Sequence, residues 1–190
     1  MLKELVLKNR SYRRFDQSIP ISKDNLLDFI DLARNSASGR NLQTLKYFVS
    51  NEPILNSAIF PTLSWAGYIK DWDGPIDGEK PSGYIVMLED TQIGKNLVHD
   101  QGIAAQTILL AAVEKGFGGC MIYSVKRSEL AVLLHLPTYL EIVLVIALGV
   151  PIEQVVIEQL QSNEDIKYWR DENQVHHVPK RNLKDIVINY

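Results

Sequence analysis

The stretch that most restricts this chain is "DQGIAAQTILLAAVEK", from about Asp100 to Lys115. Its pattern is helical, with Gly116 as the stop, yet Ile103, Ala104, Ala105, Ile108, Leu109, Ala111, Ala112 and Val113 leave it almost no polar face. A helix of that kind must be enclosed. It is too short to cross a membrane, which takes roughly 20 apolar residues. In a chain of 190 residues it belongs at the centre of the core, in an interface with a second subunit, or in both. The reading favours a homodimer. A second run, "EIVLVIALG", is continuously apolar rather than alternating, so both faces of that strand are expected under cover. Together the two runs predict a sheet with helices on both sides.

The rest of the pattern fills in around them. Leu2, Leu5 and Val6 suggest a short first helix. Ser22 reads as the N-cap of a second, whose inward stripe is Leu26, Phe29, Ile30 and Ala33 and which ends near Asn35. Lys46–Ser50, Tyr84–Leu88 and Cys120–Tyr123 read as strands, and "RSELAVLLHL" as a helix. Between Phe60 and Gly83 three prolines, four glycines, Trp65, Trp72 and Tyr68 predict a long irregular loop, either a wall for a site or a loop anchored by its aromatics. No repeat or linker divides the chain, so residues 1–190 are expected to form one domain. The polar tail after Pro151, ending in "IVINY", needs a surface to dock on.

Charge then narrows the function. With 20 Lys+Arg against 23 Asp+Glu, the net charge of -3 argues against nucleic acid or an anionic membrane as partner. Cys120 is the only cysteine, which excludes an internal disulfide. Together with a start that does not read as a secretion signal, this predicts a cytoplasmic protein. Against that background "NRSYRRF" concentrates Arg10, Arg13 and Arg14, and "HHVPKRNLK" concentrates Lys180, Arg181 and Lys184. Arginine's planar fork suits phosphate or carboxylate oxygens, so the two clusters either converge on one anion or are simply solvated. "SASGRNLQ" offers Ser38, Gly39, Asn41 and Gln43, whose groups match a heterocycle edge but also suit an ordinary loop.

Several chemistries are excluded. "KGFGGC" has neither the spacing nor the strand-to-helix order of a dinucleotide fingerprint, and no P-loop, H-E-x-x-H, C-x-x-C or G-x-S-x-G occurs. His176 and His177 are neighbours on an extended segment and point to opposite sides, which predicts hydrogen-bonded or solvated rings and not a metal site. Cys120 reads as a small core residue. An enzyme built this way needs an organic cofactor to carry its chemistry.

These segments resemble the FMN-dependent nitroreductases along nearly the whole chain. "RSYRRF" is similar to the family's R-S-x-R-x-F/Y, and "SASGRNLQ" to its P-S-x-x-N-x-Q loop. "DQGIAAQTILLAAVEKGFGGCMI", "LPTYLEIVLVIALGVP" and "VPKRNLKDIV" follow in the family's order. The resemblance implies an α+β fold, a mixed sheet flanked by helices on both faces, in an intertwined homodimer with FMN at the interfaces. Arg10 and Arg181 would hold the FMN phosphate. Ser11 and Arg13 would face the pyrimidine side, with Arg13 as the electrostatic stabiliser and no side chain acting as catalyst itself. Asn41 would lie near the ring system. Ala37, Ser38 and Gly39 would reach the flavin of the other subunit, and Met121, Ile122, Tyr123 and Ser124 would flank its dimethylbenzene or N5 side. The implied activity is hydride transfer from NADH or NADPH through flavin N5 to a nitroaromatic, quinone or similar small-molecule acceptor, with ping-pong kinetics. Other redox chemistry on the same flavin, such as dehalogenation or flavin breakdown, and a non-enzymatic anion-binding dimer are the alternatives.

Overall fold

The computed structural model describes residues 1–95, 98–161 and 165–189. In chain order these form α1 (Leu2–Lys8), β1 (Phe15–Asp16), α2 (Lys23–Arg34), β2 (Leu45–Ser50), α3 (Pro53–Ile59), β3 (Gly83–Asp90) and α4 (Val98–Glu114). There follow β4 (Gly118–Ile122), α5 (Arg127–Leu133), β5 (Leu140–Pro151), β6 (Val155–Gln159), β7 (Trp169–Arg170) and β8 (His176–Lys180).

β5 organises the α+β architecture. It pairs antiparallel with β3, from Gly83 opposite Leu148 to Asp90 opposite Leu140, and antiparallel with β4 and β1. β2 extends the sheet beyond β3. The five residues Leu144 to Leu148 are all completely buried, as a continuously apolar strand requires. Their side chains alternate between two cores. Leu144, Ile146 and Leu148 join Ile85 and Met87 under α2 and α4, while Val145 and Ala147 join Tyr84, Val86 and Leu88 on the side of α3 and α5. Each fully buried side chain of this kind contributes about 1.5–3 kcal/mol. The main sheet is therefore fixed by burial on both faces.

The helices form for local reasons. The Ser22 hydroxyl accepts from the Asn25 N–H and caps α2, whose Leu26, Phe29 and Ala33 face the sheet. α4 buries Ala104, Ala105, Ile108, Leu109, Ala111 and Ala112, and Gly116, at φ 83°, takes the left-handed turn that ends it. One part of α4 stays open: Ile103 is 42% exposed. α1 buries no residue, and its Leu2 is 68% exposed. The tail docks as a second, three-stranded sheet in which β8 lies between β6, parallel, and β7, antiparallel. Past it, Leu183, Ile186 and Ile188 project from the surface uncovered. No helix among the described residues is long and apolar enough to cross a membrane.

Candidate functional site

The glycines of "KGFGGC" make room for the arginine segment. A Cβ on Gly118 would lie 2.6 Å from the Tyr12 ring and from Pro151, so a side chain there would push the segment off β4. As built, Ser11 bridges Gly119, and the Tyr12 N–H donates to the Gly119 carbonyl at 3.0 Å. Phe15 is wholly buried and anchors the far end of the segment. Arg10, Ser11 and Arg13 are thereby held beside the strand that carries Met121 and Ile122.

A charged knot then ties three distant segments together. The Glu153 carboxylate has no solvent exposure; it accepts from the backbone N–H of Arg13, from that of Arg14 at 3.3 Å, and from Arg170 Nη2 at 3.0 Å. Arg14 grips Glu79 with both prongs of its fork, Nε to Oε2 at 2.7 Å and Nη2 to Oε1 at 2.5 Å. That grip holds the Glu79 carboxyl below the usual carboxylate range. Arg170 also lies over the Trp72 ring, 4.3 Å from its centroid, which joins the tail to the aromatic loop. Two arginines are thus neutralised by two carboxylates.

Arg13 is the one left over. Its guanidinium makes no ion pair among the described residues. Instead Nη1 donates to the Ser11 carbonyl at 3.1 Å and sits 3.2 Å from His176 Nε2, with the Tyr168 ring 4.8 Å from the guanidinium carbon. Tyr168 in turn packs against Tyr68 and His176, at 5.0 and 5.2 Å between ring centroids. His176 is 1% exposed. Burial first, and then the charges of Arg13 and Arg170, pull its imidazole down to about 4, so it is neutral near pH 7.

Two cavities meet at this arginine. The first, of about 350 Å³, is lined by Arg10, Ser11, Arg13, Met121, His176 and Lys180. The second, of about 220 Å³, has Met121, Ile122, Tyr123 and Ser124 on one side and Trp65 on the other. Arg13, Met121 and Tyr168 belong to both, so the two make one elongated cleft. Its wider arm is cationic, with Arg10 and Lys180, and its narrower arm carries Trp65, Met121 and Ile122 beside the polar Ser64, Tyr123 and Ser124. In the wider arm the Arg10 Nε–H is buried without a hydrogen-bond partner among the described residues, while its Nη2 donates to the Val6 carbonyl at 2.7 Å.

Seven of the expected residues line this cleft: Arg10, Ser11, Arg13, Met121, Ile122, Tyr123 and Ser124. Arg181 does not. β8 alternates, so His176, Val178 and Lys180 face the cleft in a row, and exposed Arg181 lies one residue past it. Ala37 and Ser38 line a separate cavity of about 240 Å³ together with Tyr47 and Asp100. There the Asp100 carboxylate accepts from Ser38 Oγ at 2.7 Å and from the Gly39 N–H at 3.0 Å. Asn41 takes a left-handed φ of 57° and is exposed; neither it nor Gly39 lines the cleft within one chain. The two readings of the aromatic loop both apply, to different residues: Trp65 stacks on Phe60 and walls the narrow arm, while Trp72 anchors the loop to Arg170.

Three central residues, Glu153, Tyr168 and Arg170, carry no expectation from the sequence, and His176 is expected there only as a hydrogen-bonded or solvated ring. Glu153 carries no local signal, since a lone acid after an apolar strand is common. His176 had one: with Val178 and Lys180 it occupies alternate positions of an extended segment, which places all three on one side. His177, on the opposite side, stacks on Trp169 and meets Glu158 at 2.6 Å, and no group among the described residues is arranged to hold a metal.

A family model described as Nitroreductase family matches residues 84–150, the span from β3 through β5. The crystal structure of a nitroreductase family protein from Clostridium novyi NT superposes with a TM-score of 0.66 at 25% identity, covering 80% of this chain and 86% of that one. The fold is that of the nitroreductase family. An Exiguobacterium sibiricum protein solved in complex with FMN shares the nitroreductase fold at a TM-score of 0.68 and 15% identity, over 80% of this chain and 89% of its own. So does the NADPH:FMN oxidoreductase of Vibrio harveyi complexed with NAD+, at 0.64 and 23% identity, over 80% and 69%. No curated protein sequence matches the chain. The matched span supplies one wall of the cleft, Met121 and Ile122, but it ends before Glu153. The knot that holds Arg13 lies outside it.

Proposed function

We propose that this chain is an FMN-dependent oxidoreductase that takes hydride from NADH or NADPH and passes the electrons to a nitroaromatic, quinone or similar small acceptor. The observation that carries the reading is Arg13, an unneutralised guanidinium at the junction of a cationic arm and an arm walled by Trp65, Met121 and Ile122. FMN has that shape and polarity, with a dianionic phosphate at one end and a largely apolar tricycle at the other. The buried Arg10 Nε–H without a partner supports the fit, because a donor left unsatisfied in the protein is satisfied by a phosphate oxygen.

In this reading Arg10 and Lys180 hold the phosphate, and Ser11 and Arg13 meet the polar edge of the ring. Met121, Ile122, Tyr123 and Ser124 border its other end. FMN, when bound, supplies two-electron redox chemistry that no side chain here has. Arg13 favours extra negative charge at the ring edge, and it acts strongly because Tyr168 and His176 shield it from water. No second nucleotide motif is present, so nicotinamide and acceptor use the same open side in turn, which gives ping-pong kinetics.

A homodimer completes the proposal. Ile103 on α4, the outer face of α1 and the Leu183, Ile186 and Ile188 end are apolar and uncovered, and the wall of Ala37, Ser38, Gly39 and Asn41 lies away from the Arg13 cleft of its own chain. Sedimentation should give twice 21.6 kDa. The activity is tested by anaerobic mixing: FMN-loaded protein bleaches with NADH or NADPH and recolours on addition of a quinone. Failure to bleach with either nucleotide removes the reading.

A further inference from the structure

We propose that His176 is the positioning residue for Arg13: its Nε2 accepts from the guanidinium and fixes that arginine in the cleft without cancelling its charge. The purpose rests on the flavin reading above, while the geometry stands without it. One prong of the Arg13 fork is held twice, by the Ser11 carbonyl at 3.1 Å and by His176 Nε2 at 3.2 Å, and the Tyr168 ring bears on the guanidinium carbon from 4.8 Å. Arginine loses less freedom per hydrogen bond than other long side chains because its fork is planar, so these contacts define where its charge sits.

The chemistry of the partner is what matters. Every other arginine of the knot is held by a carboxylate, Arg14 by Glu79 and Arg170 by Glu153. A carboxylate at position 176 would hold Arg13 at least as firmly and would also neutralise it, leaving the cleft without its central positive charge. A neutral imidazole orients and does not neutralise. Facing an N–H donor, Nε2 must offer its lone pair, so the ring proton is on Nδ1. That Nδ1–H is buried with no hydrogen-bond partner among the described residues. The fold keeps an unsatisfied donor there, which is destabilising in itself, and the bond to Arg13 is the compensating gain. The charged groups around the ring are Arg13 from the arginine segment, Arg170 from β7 and the neighbouring His177, all of which disfavour a second proton.

The test compares three substitutions by FMN titration, followed through quenching of flavin fluorescence, with thermal midpoints recorded to confirm folding. His176→Gln keeps an acceptor oxygen and is expected to bind within a few-fold of the parent. His176→Leu removes the acceptor and is expected to weaken binding about tenfold, the size of a lost hydrogen bond to a charged group. His176→Glu holds Arg13 and neutralises it, and is expected to bind more weakly than His176→Gln and to lower the flavin reduction potential. In an Arg13→Leu background, His176→Leu should cost nothing further. Equal binding by the Leu, Gln and Glu variants, or full additivity with Arg13→Leu, overturns the proposal. If the parent takes up no FMN the flavin reading has failed, and the positioning claim is then decided by imidazole nitrogen NMR. A His176 ring that carries its proton on Nδ1 in the parent, and loses that tautomer preference once Arg13 is Leu, supports it. A proton on Nε2, or ordinary titration in the parent, contradicts it.

Discussion

The wall at Arg13 and the wall at Ala37 to Asn41 are both polar, but they are built differently. Around Arg13 three segments that are far apart in sequence, 10–15, 68–79 and 153–180, are cross-linked by Glu153, Glu79, Arg170 and Tyr168, and Arg14 and Arg170 are each paired with a carboxylate inside the chain. The other wall is tied to α4 by the Asp100 carboxylate and by the Ser36–Thr107 hydroxyl contact at 3.1 Å, and its Asn41 is exposed. In the proposed homodimer, the second wall is the half that a partner would complete. The comparison separates what the fold must hold rigid from what a partner can complete.

The strongest way to break that contrast is Glu153→Leu. Removing this carboxylate strands the Arg170 charge and two backbone N–H groups, and should cost about 3–5 kcal/mol in denaturant unfolding. A loss below about 1 kcal/mol would mean the knot is not the rigid half. Next is Arg10→Ala, which should leave folding nearly intact and weaken FMN binding by about 1.5–3 kcal/mol, or roughly 10- to 150-fold. Equal FMN retention by mutant and parent would place the phosphate elsewhere.

A pH profile sharpens the account further. The folded His176 titrates at about 4 and the unfolded one at its ordinary 6.5, so between these values the unfolded chain binds more protons. Stability contributed by this group is complete above pH 6.5, falls as the pH drops toward 4, and is lost at no more than about 1.4 kcal/mol per pH unit. His176→Gln should flatten the stability profile in that window relative to the parent; identical slopes would show that the ring is not held neutral. Asp100→Asn should have the smallest effect, about 1 kcal/mol or less, because its oxygens can still accept from Ser38 and Gly39. A larger loss would make the second wall as rigid as the first.

Much of this was legible beforehand, and the limit is a physical one. The covered strand "IVLVIAL" and the apolar helix at 100–115 are read from the near absence of polar positions, although Val143 is only half-buried and Ile103 stays open. Ser22 and Gly116 announce their roles as cap and stop through local backbone chemistry. The clusters at Arg10 and Lys180 also stood out, because composition makes them rare. Glu153 did not, since its importance comes from what folds onto it over long separations. His176 was read as a hydrogen-bonded or solvated ring, which is right in kind but silent on its partner, some 160 residues earlier in the chain. The motif that carries Arg181 does not say which side of β8 each basic residue takes, and it is Lys180 that lines the cleft.

The most direct measurement is a crystal structure of the protein grown with FMN. The account predicts the phosphate against Arg10 and Lys180, the polar ring edge at Arg13, and the Asn41 wall contributed by a second copy. A phosphate bound by Arg181 and Lys184, with Arg13 left buried beneath Tyr168 and away from the ligand, would contradict it.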